Sequence, residues 1–145
     1  MSIYIPYFDH LSGAVSAPVV VVEYGDLLCP HCGDCYVEMK ILHEMLGGHL
    51  LFVFRHFFPF NLCSISLDAA VACEVAGAQR KFWYMHDIIF ENQRYLSRSA
   101  LSRFGSEVGV DMSPFKDTRT NINHFEYNTT ERPSRNLDEQ RWFIR

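Results

Sequence analysis

Between residues 17 and 32 the chain passes from a continuous β-branched run, Ala17 to Tyr24 (APVVVVEY), through Gly25-Asp26 into Cys29-Pro30-His31-Cys32. No other stretch restricts the fold as much. An apolar run without alternation suits a strand buried on both faces, as in a parallel sheet covered by helices. Proline is favoured in the first turn of a helix, where its missing N–H leaves no bond unmade. Cys29-Pro30-His31-Cys32 therefore reads as a helix opening, and the helix is expected to run to about Leu46, where Gly47-Gly48 ends it. Cys32, Cys35, Met39, Leu42 and Leu46 recur at steps of three and four and form one face. His49 to Phe58 (HLLFVFRHFF) is expected as a second strand, closed by Pro59. Strand, helix and strand with short connections make a βαβ unit, whose two strands are parallel.

From Leu67 to about Val108 the pattern is helical. Leu67, Ala70, Val71, Val75 and Ala78 stripe one helix, and Phe82, Met85, Ile89 and Phe90 the next. A third helix is expected from about Ser99, and Ser113-Pro114 reads as N-cap and first residue of a fourth. Residues 117–141 are polar, without periodicity, and the last four residues are too few to predict a strand. The expected organisation is one domain over residues 1–116, with a core at 15–60 and a helical insertion at 62–116. An irregular polar tail fills 117–145.

A chain of 145 residues is long enough to bury a core. A net charge of −4 gives no basic footprint for nucleic acid or anionic lipid. The apolar runs at Pro18 to Val22 and Leu50 to Phe54 are too short to cross a bilayer. The opening MSIYIPYFDH has neither a basic segment nor a long apolar one, so the expected location is cytoplasmic. Five cysteines, at 29, 32, 35, 63 and 73, are an odd count that argues against a disulfide framework. They point to redox or metal chemistry instead.

Disulfide exchange needs a thiolate, a second thiol that resolves the mixed disulfide, and an accessible first sulfur. Cys29 stands at a helix N-terminus, where unpaired N–H groups and the macrodipole favour a negative sulfur. His31 can donate a hydrogen bond to it or add positive charge. Cys32 lies on the apolar face, within bonding reach of Cys29 and shielded from water. The spacing alone is a moderate signal; between a buried strand and a helix of a βαβ unit it is a strong one.

The segment VVVVEYGDLLCPHCGDCYVEMKIL, Val19 to Leu42, resembles the active-site strand and helix of the DsbA-like thiol–disulfide oxidoreductases of the thioredoxin superfamily, Pro30-His31 included. AGAQRKFWYMHDIIFENQ, Ala76 to Gln93, is similar to the helical segment that this family inserts into its core. The resemblance implies an α/β thioredoxin-like fold, a strongly oxidising cysteine pair, protein thiol or disulfide substrates, and no cofactor. It also implies a role for Glu23, six residues before Cys29, as the acid beneath the site that exchanges a proton with the resolving thiol. A carboxyl buried in an apolar strand has a raised pKa, which suits that role. The plainer alternative is a solvated residue at the strand end.

Other readings stay open. Cys35 extends the motif to C-x-x-C-x-x-C, which suggests zinc or an iron–sulfur site. The stretch from Tyr36 to Leu62 holds no fourth cysteine, however, and Cys35 falls on the apolar stripe. Cys63 and Cys73 read as packing residues, and His10, His43, His49, His56, His86 and His124 have no ligand spacing. The family follows its insertion with a cis-proline loop, two strands and a helix. Pro133 in RPSRNLDEQ matches none of this, so the C-terminal ββα part is expected to be truncated or degenerate. A sheet of two strands would leave edges and an apolar face open, and self-association is one way to cover them. The rivals to an oxidoreductase are a degenerate remnant or interaction module and a small metal-binding protein.

Overall fold

The structure, a computed structural model, describes residues 9–57, 64–117 and 142–144. Strands β2 (Val19–Gly25) and β3 (Leu50–His56) form the centre of the sheet. They run parallel, Val19 opposite Leu50 and Gly25 opposite His56, as the βαβ reading requires. Helix α1 (Pro30–Leu46) connects them, and a 3₁₀ turn at Gly47–His49 leads into β3. Gly47 takes φ +50 and ψ −125, a positive-φ backbone that glycine adopts without a Cβ penalty. Every residue of β3 is buried, which explains why its sequence runs apolar without alternating.

Two further strands correct the expectation of a two-stranded sheet. Strand β1 (His10–Gly13) pairs antiparallel with β3, and β4 (Trp142–Ile144) pairs antiparallel with β2, giving the order β1-β3-β2-β4. Both are edge strands of three or four residues, held by backbone bonds that need no apolar period, so neither left a pattern in the sequence. The residues between 117 and 142, Pro133 among them, lie outside the described residues, as does Cys63.

Alternation along the strands sorts side chains onto two faces. Val21, Phe52 and Phe54 join a core with Leu27, Cys32 and Met39 from the α1 side and the helices that follow β3. Val22, Leu51 and Val53 face the other way with Ala17, and these three are at most 1% exposed, so that face is not open as expected. Beside it the Arg55 guanidinium donates from Nε to Asp9 Oδ1 at 2.9 Å and from Nη2 to Oδ2 at 2.7 Å, a two-bond fork that pairs the buried charges.

The insertion consists of α2 (Ser64–Ala78), α3 (Phe82–Glu91), α4 (Arg98–Glu107) and α5 (Ser113–Asp117). Helix α2 is buried from Ala69 through Cys73 without a break, a central helix rather than one with a single apolar stripe. Ser97 caps α4, its Oγ accepting from Ala100 N–H at 3.1 Å. At α5 the cap differs from expectation. Ser113 is inside the helix, and the carboxylate of Asp111 accepts from its N–H at 2.9 Å and its Oγ at 2.7 Å.

Candidate active site

The site begins where β2 ends. Asp26 organises the turn that follows, accepting on Oδ1 from Leu28 N–H at 2.9 Å, while its backbone carbonyl accepts from Cys29 N–H at 3.0 Å. Its second carboxylate oxygen accepts from Ser66 Oγ in α2 at 3.0 Å. This is an aspartate turn, in which a short carboxylate stands in for a backbone acceptor two residues on. In the sequence, Gly25-Asp26 marks only the end of the β-branched run. The acidic residue two places before Leu28 was a usable signal for its turn, whereas nothing announced Ser66.

Cys29 is the N-cap residue of α1, with extended backbone at φ −73 and ψ 125, and Pro30 occupies the first helical position. Cys29 is half-buried, and Pro30 and His31 are exposed. Cys32, one turn in, is 1% exposed, and its Sγ accepts from Asp26 N–H at 3.4 Å. Beneath it stands Glu23 on β2, 4% exposed, so the solvated alternative for this residue is overturned. Burial pushes the Glu23 carboxyl up to about 7, against the opposing pull of a hydrogen bond from the Cys32 thiol. Its Oε1 has no hydrogen-bond partner. Burial, and then the nearby Glu23 charge, drives the Cys32 thiol far above its ordinary value. A buried thiol and a buried carboxyl thus compete for one proton at the foot of the helix that carries Cys29.

Gln93, at the start of a 3₁₀ turn (Gln93–Tyr95) after α3, donates from Nε2 to the carbonyl oxygens of Leu27 at 3.1 Å and Cys29 at 2.7 Å. Sequence reasoning gave it no role, since a contact between residues 64 positions apart leaves no local signal.

Cys35 is half-buried on α1, and Cys73 is wholly buried in α2, where burial raises its thiol well above the ordinary value. Among the described residues no three His, Cys, Asp or Glu side chains are grouped to hold a metal ion. Two histidines set aside in the sequence do converge. His10 Nε2 and His56 Nε2 lie 2.8 and 3.3 Å from Glu74 Oε1. Burial alone would raise the Glu74 carboxyl, but the bonds and charges of these two rings outweigh it and hold the group at about 2. The cluster ties α2 to β1 and β3.

A thioredoxin family model matches residues 8–139. The Na(+)/H(+) antiporter NhaA 1 of Mycobacterium sp. (strain KMS) is 39% identical over 110 residues, which are 76% of this chain and 18% of that protein. NhaA 1 of Mycolicibacterium vanbaalenii is 35% identical over 127 residues, 87% of this chain and 21% of that protein. The chain spans about a fifth of the length of these curated relatives. Among solved structures, BdbD from Bacillus subtilis in its oxidised form superposes with a TM-score of 0.76 at 21% identity, over 92% of this chain and 80% of that one. MdbA, a thiol-disulfide oxidoreductase from Corynebacterium matruchotii, gives 0.72 at 16% identity, over 97% and 81%. The thiol-disulfide exchange protein alpha-DsbA2 from Wolbachia pipientis gives 0.70 at 21% identity, over 84% and 65%. At these identities the likeness is one of fold.

Proposed function

This chain belongs to the thioredoxin family, and on that premise we propose that it is DsbA-like and exchanges disulfides with protein thiols through Cys29 and Cys32. The observation that carries the reading is the burial of Glu23 against Cys32. A resolving thiol held far above its ordinary value cannot attack unaided; it needs a base within reach that gains a proton near neutral pH. Glu23, at about 7, is such a base.

With a substrate disulfide, the Cys29 thiolate attacks one sulfur and forms a mixed disulfide, and the first substrate thiolate leaves. Cys32 gives its proton to the Glu23 carboxylate and attacks the Cys29 sulfur. The second substrate thiolate leaves, and the chain ends as the Cys29–Cys32 disulfide, two electrons having passed to the substrate. With a substrate dithiol each step runs backwards, and Glu23 returns the proton to Cys32. Pro30 starts the helix, and exposed His31 can donate to the Cys29 thiolate as a substrate approaches. Glu23→Gln removes the base while keeping the shape. Its steady-state exchange with a small disulfide-bonded protein at pH 7 should fall by roughly 10²-fold, with the mixed disulfide on Cys29 accumulating. Exchange at the wild-type rate would overturn the role given to Glu23.

The antiporter relatives favour a second reading of the setting rather than the chemistry: a thioredoxin-fold module that serves a membrane cation transporter. At 39% identity over 76% of this chain, that relation is closer than those to the three oxidoreductase structures named above. Coding sequence for an antiporter in or beside this chain's own gene would support it, and a locus without one would count against it.

A further inference from the structure

We infer that Gln93 is a positioning residue that locks the active-site turn to the helical insertion, and that position 33 is glycine in order to admit it; the inference rests on the exchange reaction proposed above. An amide nitrogen carries two hydrogens, and Gln93 Nε2 spends both on carbonyls two residues apart, Leu27 and Cys29. The Cys29 oxygen also accepts the first helical bond of α1, from Gly33 N–H at 3.2 Å. One oxygen thus starts the helix and is gripped from outside it.

The other end of the amide meets Gly33. A Cβ built at Gly33 would lie 2.6 Å from Gln93 Oε1, so the amide at the end of that flexible side chain would have to shift away from the turn. Gly33 does not have a positive φ, so the backbone conformation does not demand glycine. Glycine within a helix is destabilising relative to alanine, and room for the Gln93 amide is what it gains here. Two other side-chain bonds lace α1 to α3, Tyr36 Oη to Glu91 Oε1 at 2.9 Å and Lys40 Nζ to Asp87 Oδ2 at 2.6 Å. Both lie further along α1 than Gly33. Gln93 reaches from the insertion to the carbonyl of the N-cap.

The turn from Leu27 to Cys29 sets Cys29 at the N-cap of α1, beside first-turn N–H groups whose favour toward a thiolate fades within one turn. A turn held at two carbonyls keeps Cys29 at that position; a turn released from Gln93 wanders from it. The lock therefore acts on the cysteine pair through the backbone, without touching either sulfur.

The test compares wild type, Gln93→Ala, Gly33→Ala, the double variant and Asn92→Ala. Asn92 donates to Ile88 O in its own helix at 2.9 Å, so its loss matches the loss of a side-chain bond without touching the turn. Two readouts are taken: the iodoacetamide rate of Cys29 at pH 6, mapped by mass, and the equilibrium of the cysteine pair with glutathione. Gln93→Ala and Gly33→Ala should each slow alkylation by about threefold or more and move the equilibrium toward the protein disulfide. The double variant should match the single ones, because both break the same contact. Wild-type values in the single variants, additive losses in the double, or an equal change in Asn92→Ala would overturn the lock. A wild type that never forms the Cys29–Cys32 disulfide would overturn the exchange reading instead, and the alkylation arm would still decide the lock.

Discussion

At the scale of single residues, a carboxyl that is 4% exposed and stands near 7 sets chemistry against stability. In the unfolded chain Glu23 titrates at 4.5, so its folded value is the higher one. Below 4.5 both states hold the proton, and the group costs nothing. As the pH rises toward 7 only the unfolded chain releases it, so stability falls, and above 7 the full cost remains. The gap from 4.5 to about 7, at about 1.4 kcal/mol per tenfold, amounts to on the order of 3 kcal/mol. Glu23→Gln should therefore raise the unfolding free energy by that order at pH 8 and by little at pH 4, measured by urea denaturation. An equal effect at both pH values would contradict the buried, proton-holding carboxyl. Most of this site was legible because its parts lie within ten positions of one another: the run that buries Glu23, the proline that opens α1, and the spacing that places Cys32 one turn in. Ser66 and Gln93 were not legible, since they reach the site only through the packing of the insertion.

At the scale of elements, the two long strands and the helices announced themselves by period, while β1 and β4 did not. HLSG and WFI are short segments whose contribution is a row of backbone donors and acceptors on the outside of β3 and β2. Strand β4 covers Val21 to Glu23, the part of β2 that carries the buried acid. Deleting Trp142 to Arg145 would bare that edge, and bare edges pair with other chains. The shortened chain should lose roughly 1–3 kcal/mol of stability and show larger particles by light scattering than the full chain. An unchanged melt with unchanged particle size would mean that β2 does not depend on this strand. The histidines teach the same lesson from inside the fold. His10 and His56 have no spacing in sequence that suggests a partner, yet β1 and β3 bring both to Glu74 of α2.

For the whole molecule, the fold follows from one placement: a cysteine pair where a doubly buried strand turns into a helix, with a helical insertion after the second strand. That arrangement leaves Cys29 at the surface end of α1, Cys32 and Glu23 in the core, and Cys73 buried in α2. Only one of these sulfurs is both accessible and at the N-terminus of a helix. The measurement that tests this most directly uses Cys32→Ser, which removes the resolving thiol, incubated with glutathione disulfide at neutral pH. Cys29 should attack, release one glutathione thiolate and retain the other glutathione as a stable mixed disulfide, found by mass mapping on the peptide that carries residue 29. Glutathione found instead on Cys35 or Cys73, or spread evenly over all the remaining cysteines, would contradict the assignment of Cys29 as the nucleophile.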